Sequence, residues 1–259
     1  MTELQYDTKK VGGKQTCQQL QQTRIPDREL GKNINRAITV IIPTLNEEAT
    51  IAQLIKELHN AAFSHIVIID GNSTDGTAEI AGELGATVLS QNGKGKGNAL
   101  RQAFNHKELN DWVVIIDADG SMNPEEITSF LAELKNGTDV VKGSRFMPEG
   151  FSEDMTLFRK IGNRLFIHLV NLLWDCGYSD LCYGYAAFKK ESLVKMYPLL
   201  KSKNFEIETE MFIKAKKLGL KIKEVPSGEL KRKSGKSNLN AFLDGFRILK
   251  TIFREALHE

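Results

Sequence analysis

Between residues 38 and 141 the chain repeats one pattern, and that pattern constrains the fold more than any other feature. The runs Ile38–Ile42, His65–Ile69, Ala86–Leu89, Trp112–Ile116 and Asp139–Val141 are short, largely apolar and rich in β-branched side chains. Pro, Gly, Asn or Asp flank them, which marks strands bounded by turns. Between them lie Glu48–Asn60, Thr74–Leu84, Gly97–His106 and Pro124–Lys135, whose apolar residues recur at helical period. Strands without polar alternation, regularly interleaved with helices, predict an α/β fold with a mostly parallel sheet flanked by helices on both faces. Such a sheet binds its ligands beyond the carboxyl ends of its strands. The segments that fall there are Pro43–Glu47, Asp70–Asp75 and Asp117–Ser121.

The second half is less regular. Thr156–Trp174, Glu206–Leu218 and Asn238–Leu257 read as helices, Tyr183–Phe188 and Lys221–Val225 as strands. Residues 1–35 are polar, glutamine-rich and interrupted by Gly12-Gly13, so they predict a flexible arm with too little burial to offset its ordering entropy. The expected division is an arm (1–35), an α/β domain (36–237) and a C-terminal amphipathic helix (238–259). Net charge is +2, from 35 basic and 33 acidic residues, which gives no electrostatic case for nucleic acid as a partner. Three cysteines, Cys17, Cys176 and Cys182, form no Cys-x-x-Cys pair and match no common zinc spacing. Reduced thiols, a polar N-terminus and no uninterrupted apolar stretch of about 18 residues predict a cytoplasmic chain.

Two phosphate-binding fingerprints fail on inspection. Gly93-Lys94-Gly95-Lys96-Gly97 lacks the third glycine of a dinucleotide loop, since Asn98 or Leu100 stands there. Gly235-Lys236-Ser237 resembles the end of a P-loop, but Leu230 occupies the required glycine position. The strongest chemical signal is Asp117-Ala118-Asp119, directly after an apolar strand. Two carboxylates that close at a strand end remain ionised together only beside a cation. All-oxygen ligation suits Mg²⁺ or Mn²⁺, ions that commonly join protein carboxylates to substrate phosphates. Asp70 and Asp75 stand at a neighbouring strand end, where Ser73 or Thr74 is placed to cap the next helix.

Six segments in order carry a resemblance: Val40-Ile41-Ile42-Pro43-Thr44-Leu45-Asn46-Glu47-Glu48; Ile69-Asp70-Gly71-Asn72-Ser73-Thr74-Asp75-Gly76-Thr77; Lys94-Gly95-Lys96-Gly97-Asn98-Ala99-Leu100; Asp117-Ala118-Asp119; Val141-Lys142-Gly143-Ser144-Arg145-Phe146; and Leu218-Gly219-Leu220-Lys221-Ile222-Lys223-Glu224-Val225-Pro226. Over roughly residues 38–237 the chain resembles the family 2 glycosyltransferases of GT-A fold, most of all the dolichol- or polyprenyl-phosphate sugar synthase branch. The resemblance implies an inverting, metal-dependent transfer of a sugar from a UDP- or GDP-sugar. It implies that Pro43, Leu45 and Glu47 border the base and ribose, Asp70 the base edge, and Lys94 and Gly97 the nucleotide. Asp117 would meet the ribose or the metal, and Asp119 would be the principal metal ligand. Arg145 and Arg232 would hold diphosphate or acceptor phosphate, and Glu210 falls at a carboxylate position on a later helix.

The chain departs from that branch at Ser121, where a glutamine is common, at Ala186 in place of an arginine, and at Asn238 in place of a lysine. A phosphate acceptor is already anionic near neutral pH, whereas a small hydroxyl acceptor needs a general base; Asp180 is the candidate for that second case. A non-catalytic nucleotide-sugar binder on the same fold is a further alternative, against which the retained Asp pair argues. The apolar face of Thr156–Trp174, edged by Arg159, Lys160 and Arg164, predicts either peripheral membrane contact or packing. Asn238–Leu257 offers a surface for packing or for a second copy in a homodimer.

Overall fold

The computed structural model describes residues 38–235 and 238–257, so the arm predicted at 1–35, Cys17 and Lys236 lie outside the described residues. Its centre is a seven-stranded sheet in the order β3-β2-β1-β4-β7-β5-β8. The strands are β1 (Ile38–Thr44), β2 (Ile66–Asp70), β3 (Thr87–Ser90), β4 (Trp112–Ile115), β5 (Val140–Ser144), β7 (Ala186–Lys189) and β8 (Ile222–Pro226). Every pairing is parallel except those of β7, which runs antiparallel to both β4 and β5. A short parallel ladder of β6 (Phe151–Ser152) and β9 (Gly228–Glu229) lies apart from it.

Strand side chains alternate faces, and the continuous apolar runs therefore feed two cores. Ile41, Val67, Ile69, Val113 and Ile115 face one side. Ile38, Val40, Ile42, Ile66, Ile68 and Val114 face the other. Helices cover both faces: α1 (Glu48–Asn60), α2 (Thr77–Glu83), α3 (Lys96–Phe104), α4 (Ile127–Lys135), α5 (Leu157–Trp174), α6 (Lys190–Met196), α7 (Ile207–Lys217) and α8 (Ala241–Leu257). In α1 the buried residues Ile51, Leu54, Ile55 and Leu58 repeat at the spacing the sequence predicts.

Several boundaries differ from expectation for identifiable reasons. Helix α2 starts at Thr77 rather than Thr74, because Asp75 Oδ1 accepts from the Thr77 amide at 3.1 Å and Glu48 Oε2 from the Gly76 amide at 2.8 Å. Ser73 and Thr74 therefore do not cap it; the Thr74 amide donates instead to Asn46 Oδ1 at 2.8 Å. The strand expected at Tyr183–Phe188 begins only at Ala186. Helix α6 and the two-residue strands β6 and β9 are too short to leave a periodic signal. Helix α8 begins at Ala241, three residues late, with Asp244 accepting from the Asn240 amide at 2.8 Å just before it.

Candidate active site

The sheet order reverses between β1 and β4: β2 and β3 extend to one side of β1, and β4 lies on the other. At such a switch point the chain segments leaving two neighbouring strands diverge and open a crevice. Ile41 sits opposite Ile115 and Thr44 opposite Asp70, so the carboxyl ends of three strands arrive at one level. A cleft of about 580 Å³ opens there, lined by Pro43–Glu47, Gly71, Asn72, Thr74, Lys94–Lys96 and Asp117–Asp119. That volume suits a nucleotide-sized ligand.

The loops at its base are tied to one another. Asn46 and Asn72 adopt left-handed backbone (φ 57 and 63), a conformation asparagine tolerates better than most side chains. The Asn46 amide donates to Ser73 Oγ at 2.9 Å, and the Glu47 amide to Thr77 Oγ1 at 2.8 Å. Asp70 accepts from the Ser73 amide at 3.0 Å and from Thr44 Oγ1 at 3.4 Å. It is buried and does not line the cleft; it holds the loop that does. Gly120, at φ 73, turns the chain away after Asp119.

Charge is concentrated along one wall. Lys96 Nζ lies 2.6 Å from Asp117 and 2.7 Å from Glu208. Burial pulls the Lys96 ammonium down, but the two carboxylates outweigh it and hold the group above its ordinary value. Burial raises Glu208, with Lys96 opposing. On the other side Arg232 reaches Glu47 at 2.7 Å and Asp119 at 3.0 Å. The second Asp119 oxygen accepts from the Ser121 amide at 3.0 Å and from its hydroxyl at 2.7 Å. Ser121 thus fixes Asp119. Six carboxylates line the cleft (Glu47, Asp117, Asp119, Asp154, Glu208 and Glu229) against four cations, Lys94, Lys96, Arg159 and Arg232.

Arg145 and Asp180 are placed differently from expectation. Their side chains form a fork-to-fork pair, Nε to Oδ2 at 2.7 Å and Nη2 to Oδ1 at 3.0 Å, in the wall behind the cleft. Asp180 is 0% exposed, and neither residue lines the cavity. Asn163 donates to Asp180 Oδ1 at 2.8 Å, and Lys142 donates to the Asp180 carbonyl. Burial pushes Asp180 up, but the Arg145 guanidinium and its hydrogen bonds hold the carboxyl below the usual range. The position expected of a general base therefore holds a carboxylate with both oxygens committed and no path to the cleft. Arg145 instead supports the cleft wall, donating to Glu229 at 3.0 Å and stacking 4.5 Å from the Tyr183 ring centroid.

Residues 39–196 match the family described as glycosyl transferase family 2. The chain belongs to that family. It is 36% identical over 223 residues to glycosyltransferase AglJ of Haloferax volcanii, spanning 85% of this chain and 72% of that one. Polyprenol monophosphomannose synthase of Mycolicibacterium smegmatis is 29% identical, with 84% of each chain covered. Dolichyl-phosphate hexose transferase of Haloferax volcanii is 30% identical, over 86% of this chain and 95% of that one. These relatives fit the polyprenyl-phosphate sugar synthase branch. Among solved structures, glucosyl-3-phosphoglycerate synthase from Mycobacterium tuberculosis in complex with Mn²⁺, UDP and glucosyl-3-phosphoglycerate aligns at TM-score 0.69 and 23% identity, over 85% of this chain and 80% of that one. That likeness establishes the GT-A fold.

In this family 2 glycosyltransferase, sequence reasoning missed the cleft residues Lys96, Asp154, Glu208 and Glu229, and Glu210 and Gly97 join Asp70, Arg145 and Asp180 as expected site residues that do not line it. Lys96 and Glu208 line it; Lys96 was visible only as one of several lysines in a glycine-rich stretch. Glu210, the expected carboxylate, is 0% exposed, accepts from the Ser202 amide at 2.8 Å and pairs with Arg254 at 2.5 Å. Glu208, one half-turn earlier, faces the cleft instead. Gly97 does not line the cavity. A Cβ there would stand 2.5 Å from the Ser202 carbonyl oxygen, so its glycine permits α3 to pack against that backbone.

The donor set also bears on a metal. Asp117 and Asp119 project from one strand end, and among the described residues no group of three or more His, Cys, Asp or Glu is arranged to hold an ion. Two carboxylates without a third suit a divalent ion that takes its remaining ligands from phosphate and water. The acidic surplus of the cleft points the same way, because an anionic diphosphate entering it needs added positive charge.

Proposed function

We propose that the enzyme transfers a sugar from a UDP- or GDP-sugar to a polyprenyl phosphate, with inversion at the anomeric carbon. The observation that carries this reading is the pairing of every carboxylate lining the cleft. Glu47, Asp119, Asp117, Glu208, Asp154 and Glu229 each have a cation within 3.0 or 3.1 Å or closer. No carboxylate lining the cleft is left without a cation, and a phosphate acceptor needs no base, because it is already largely ionised near pH 7. The relatives named for polyprenol and dolichyl phosphate support the same acceptor.

Pro43 and Leu45, with Glu47 beyond them, border the nucleoside, and Lys94 attends the nucleotide from the opposite loop. Asp70 acts through the loop of Gly71 and Asn72 rather than by contact. Asp117 and Asp119 would hold Mg²⁺ or Mn²⁺, which when bound supplies Lewis-acid stabilisation of the leaving diphosphate. Arg232 adds a forked guanidinium beside the same oxygens. In the reaction an acceptor phosphate oxygen bonds to the anomeric carbon while the bond from that carbon to the diphosphate oxygen breaks. The electron pair leaves with the nucleoside diphosphate, and no proton moves.

Two measurements test this. Calorimetry of UDP and GDP with Mn²⁺ and with chelator should show binding at least about tenfold tighter with the metal. Transfer from a panel of UDP- and GDP-sugars should label polyprenyl phosphate. Equal affinities in both buffers would remove the metal, and labelling of only a hydroxyl acceptor would remove the lipid phosphate.

A further inference from the structure

Helix α8 follows the α/β domain in the chain, yet one of its side chains is tied to the loops of the cleft. The tie starts at Glu210, in the first turn of α7, which is 0% exposed. A carboxylate that far from water stays ionised only where its charge is met. Its oxygens accept from the Lys201 amide at 3.0 Å and from the Ser202 amide at 2.8 Å. Arg254 of α8 supplies the cation, 2.5 Å away, and its Nη2 lies 3.5 Å from Ser202 Oγ. Arg254 itself does not line the cleft.

The segment that Glu210 holds is in turn a support. Glu206 Oε1 accepts from the Lys203 and Asn204 amides at 3.1 and 3.3 Å, so residues 201–204 are pinned by one carboxylate at each end. Their other side lies flat against the glycine-rich loop. The Lys203 carbonyl accepts from the Asn98 amide at 3.2 Å. A Cβ at Gly95 would stand 2.5 Å from Asn204 Oδ1, and one at Gly97 2.7 Å from the Lys203 carbonyl carbon. The two backbones therefore touch with no side chain between them, and a shift of one must move the other.

What the loop carries makes its position matter. Lys94, Gly95 and Lys96 line the cleft, and Lys96 sits between Asp117 and Glu208. Glu208 shares the first turn of α7 with Glu210, so the helix end that Arg254 holds from outside also presents a carboxylate to the cleft. A second ion pair across the same helix contact gives the comparison. Lys214 and Glu255, 2.5 Å apart, join α7 to α8, and neither lines the cleft. That pair fastens two helices; the pair at Glu210 also fastens a loop.

We infer that Arg254 is a positioning residue for nucleotide binding. Through Glu210 and residues 201–204 it fixes the loop that presents Lys94 and Lys96, without lining the cleft itself. That the ligand is a nucleoside diphosphate rests on the function proposed above; the brace rests on contacts within this chain.

The test compares Arg254→Met with Lys214→Met in the full chain, by calorimetry of UDP and GDP with Mn²⁺, thermal melting, and amide NMR without ligand. Both variants should melt lower than wild type. Well below those temperatures, Arg254→Met should bind whichever nucleotide wild type prefers about fivefold or more weakly, and the amide signals of Gly95 and Asn98 should move. Lys214→Met should keep wild-type affinity and leave both signals in place. If Arg254→Met does not fold, Glu210→Gln combined with Arg254→Met, which buries no charge, replaces it with the same expectation. Wild-type affinity in the Arg254 variant, unmoved Gly95 and Asn98 signals, or an equal loss of affinity in Lys214→Met each overturns the inference and leaves the pair as helix packing alone. Wild type that binds neither nucleotide removes the proposed function. The amide signals then decide the brace by themselves: movement in Arg254→Met and not in Lys214→Met upholds it, and no difference between the two overturns it.

Discussion

Arg145 and Arg232 carry the same fork and each binds two carboxylates, yet they occupy opposite physical regimes. Arg145 is 5% exposed and meets Asp180 in a doubly bonded pair. Around it stand Asn163 and, through the Asp180 backbone, Lys142, itself 0% exposed and 2.7 Å from Glu224. Arg232 lies on a loop after β9 with about a fifth of its side chain open to water, bridging Glu47 and Asp119 across the cleft. In the first case every polar atom is committed and the pair is part of the wall. In the second the cation sits where, in the function proposed above, an incoming diphosphate and its metal would need both the carboxylates and the guanidinium. The difference separates a charge that shapes the site from one that can exchange partners within it.

The largest expected effect falls on the buried pair. Removing Asp180 strips Arg145 of its doubly bonded partner and leaves Glu229 as its remaining carboxylate; breaking such a buried pair costs about 3–5 kcal/mol. Asp180→Ala should lower stability by that amount in urea unfolding, and Asp180→Asn by less, since it keeps a hydrogen-bonding partner for Arg145. If Asp180→Ala instead unfolds like wild type while transfer disappears, Asp180 is a catalytic group and the contrast between the two arginines fails.

Asp119 belongs to the open region, and its removal should have the inverse signature. Asp119→Ala is expected to leave stability within about 1 kcal/mol, because the pair it loses is partly solvated. Transfer should fall by about a hundredfold or more, and the Mn²⁺-dependent part of UDP binding should vanish. Activity near wild type in metal-replete buffer would mean that Asp119 only anchors Arg232 and Ser121.

How far these two regions could be read from sequence follows the same division. The strand ends were legible because β1, β2 and β4 are continuous apolar runs whose end points are fixed by Pro43, Asp70 and Asp117. Parallel register then brings those ends together without further information. The wall was not legible. Arg145 and Asp180 are 35 positions apart, and whether a charged residue after a strand faces a cleft or a core depends on long-range packing. Glu208 and Glu210 show the limit at its smallest: two positions on one helix place one carboxylate in the cleft and the other under Arg254. Glu206–Leu218 was identifiable as a helix, but α7 is buried over most of its circumference, so its sequence lacks the polar stripe that would have fixed its rotation.

The smallest effect concerns acid, and it separates the two pairs by the direction in which their carboxylates titrate. Asp180 has a folded value below the ordinary one of about 3.9. Its contribution to stability is therefore complete above that pH and lost only as pH falls through the folded value. Glu47 shifts the other way: burial is the largest influence and raises it above about 4.3, and Arg232 opposes without cancelling. For a raised carboxyl the contribution is complete below the unfolded value and is lost as pH rises through the folded one, so at neutral pH ionised Glu47 is held at a small cost. Lowering the pH in chelator should protonate Glu47 first and release its bond to Arg232, while the Arg145–Asp180 pair stays intact. Carboxyl ¹³C titration by NMR reads both groups directly, with a midpoint above 4.3 expected for Glu47 and below 3.9 for Asp180. Midpoints in the reverse order would show that Arg232 holds Glu47 as firmly as Arg145 holds Asp180, and that the cleft pair is as fixed a part of the wall as the buried one.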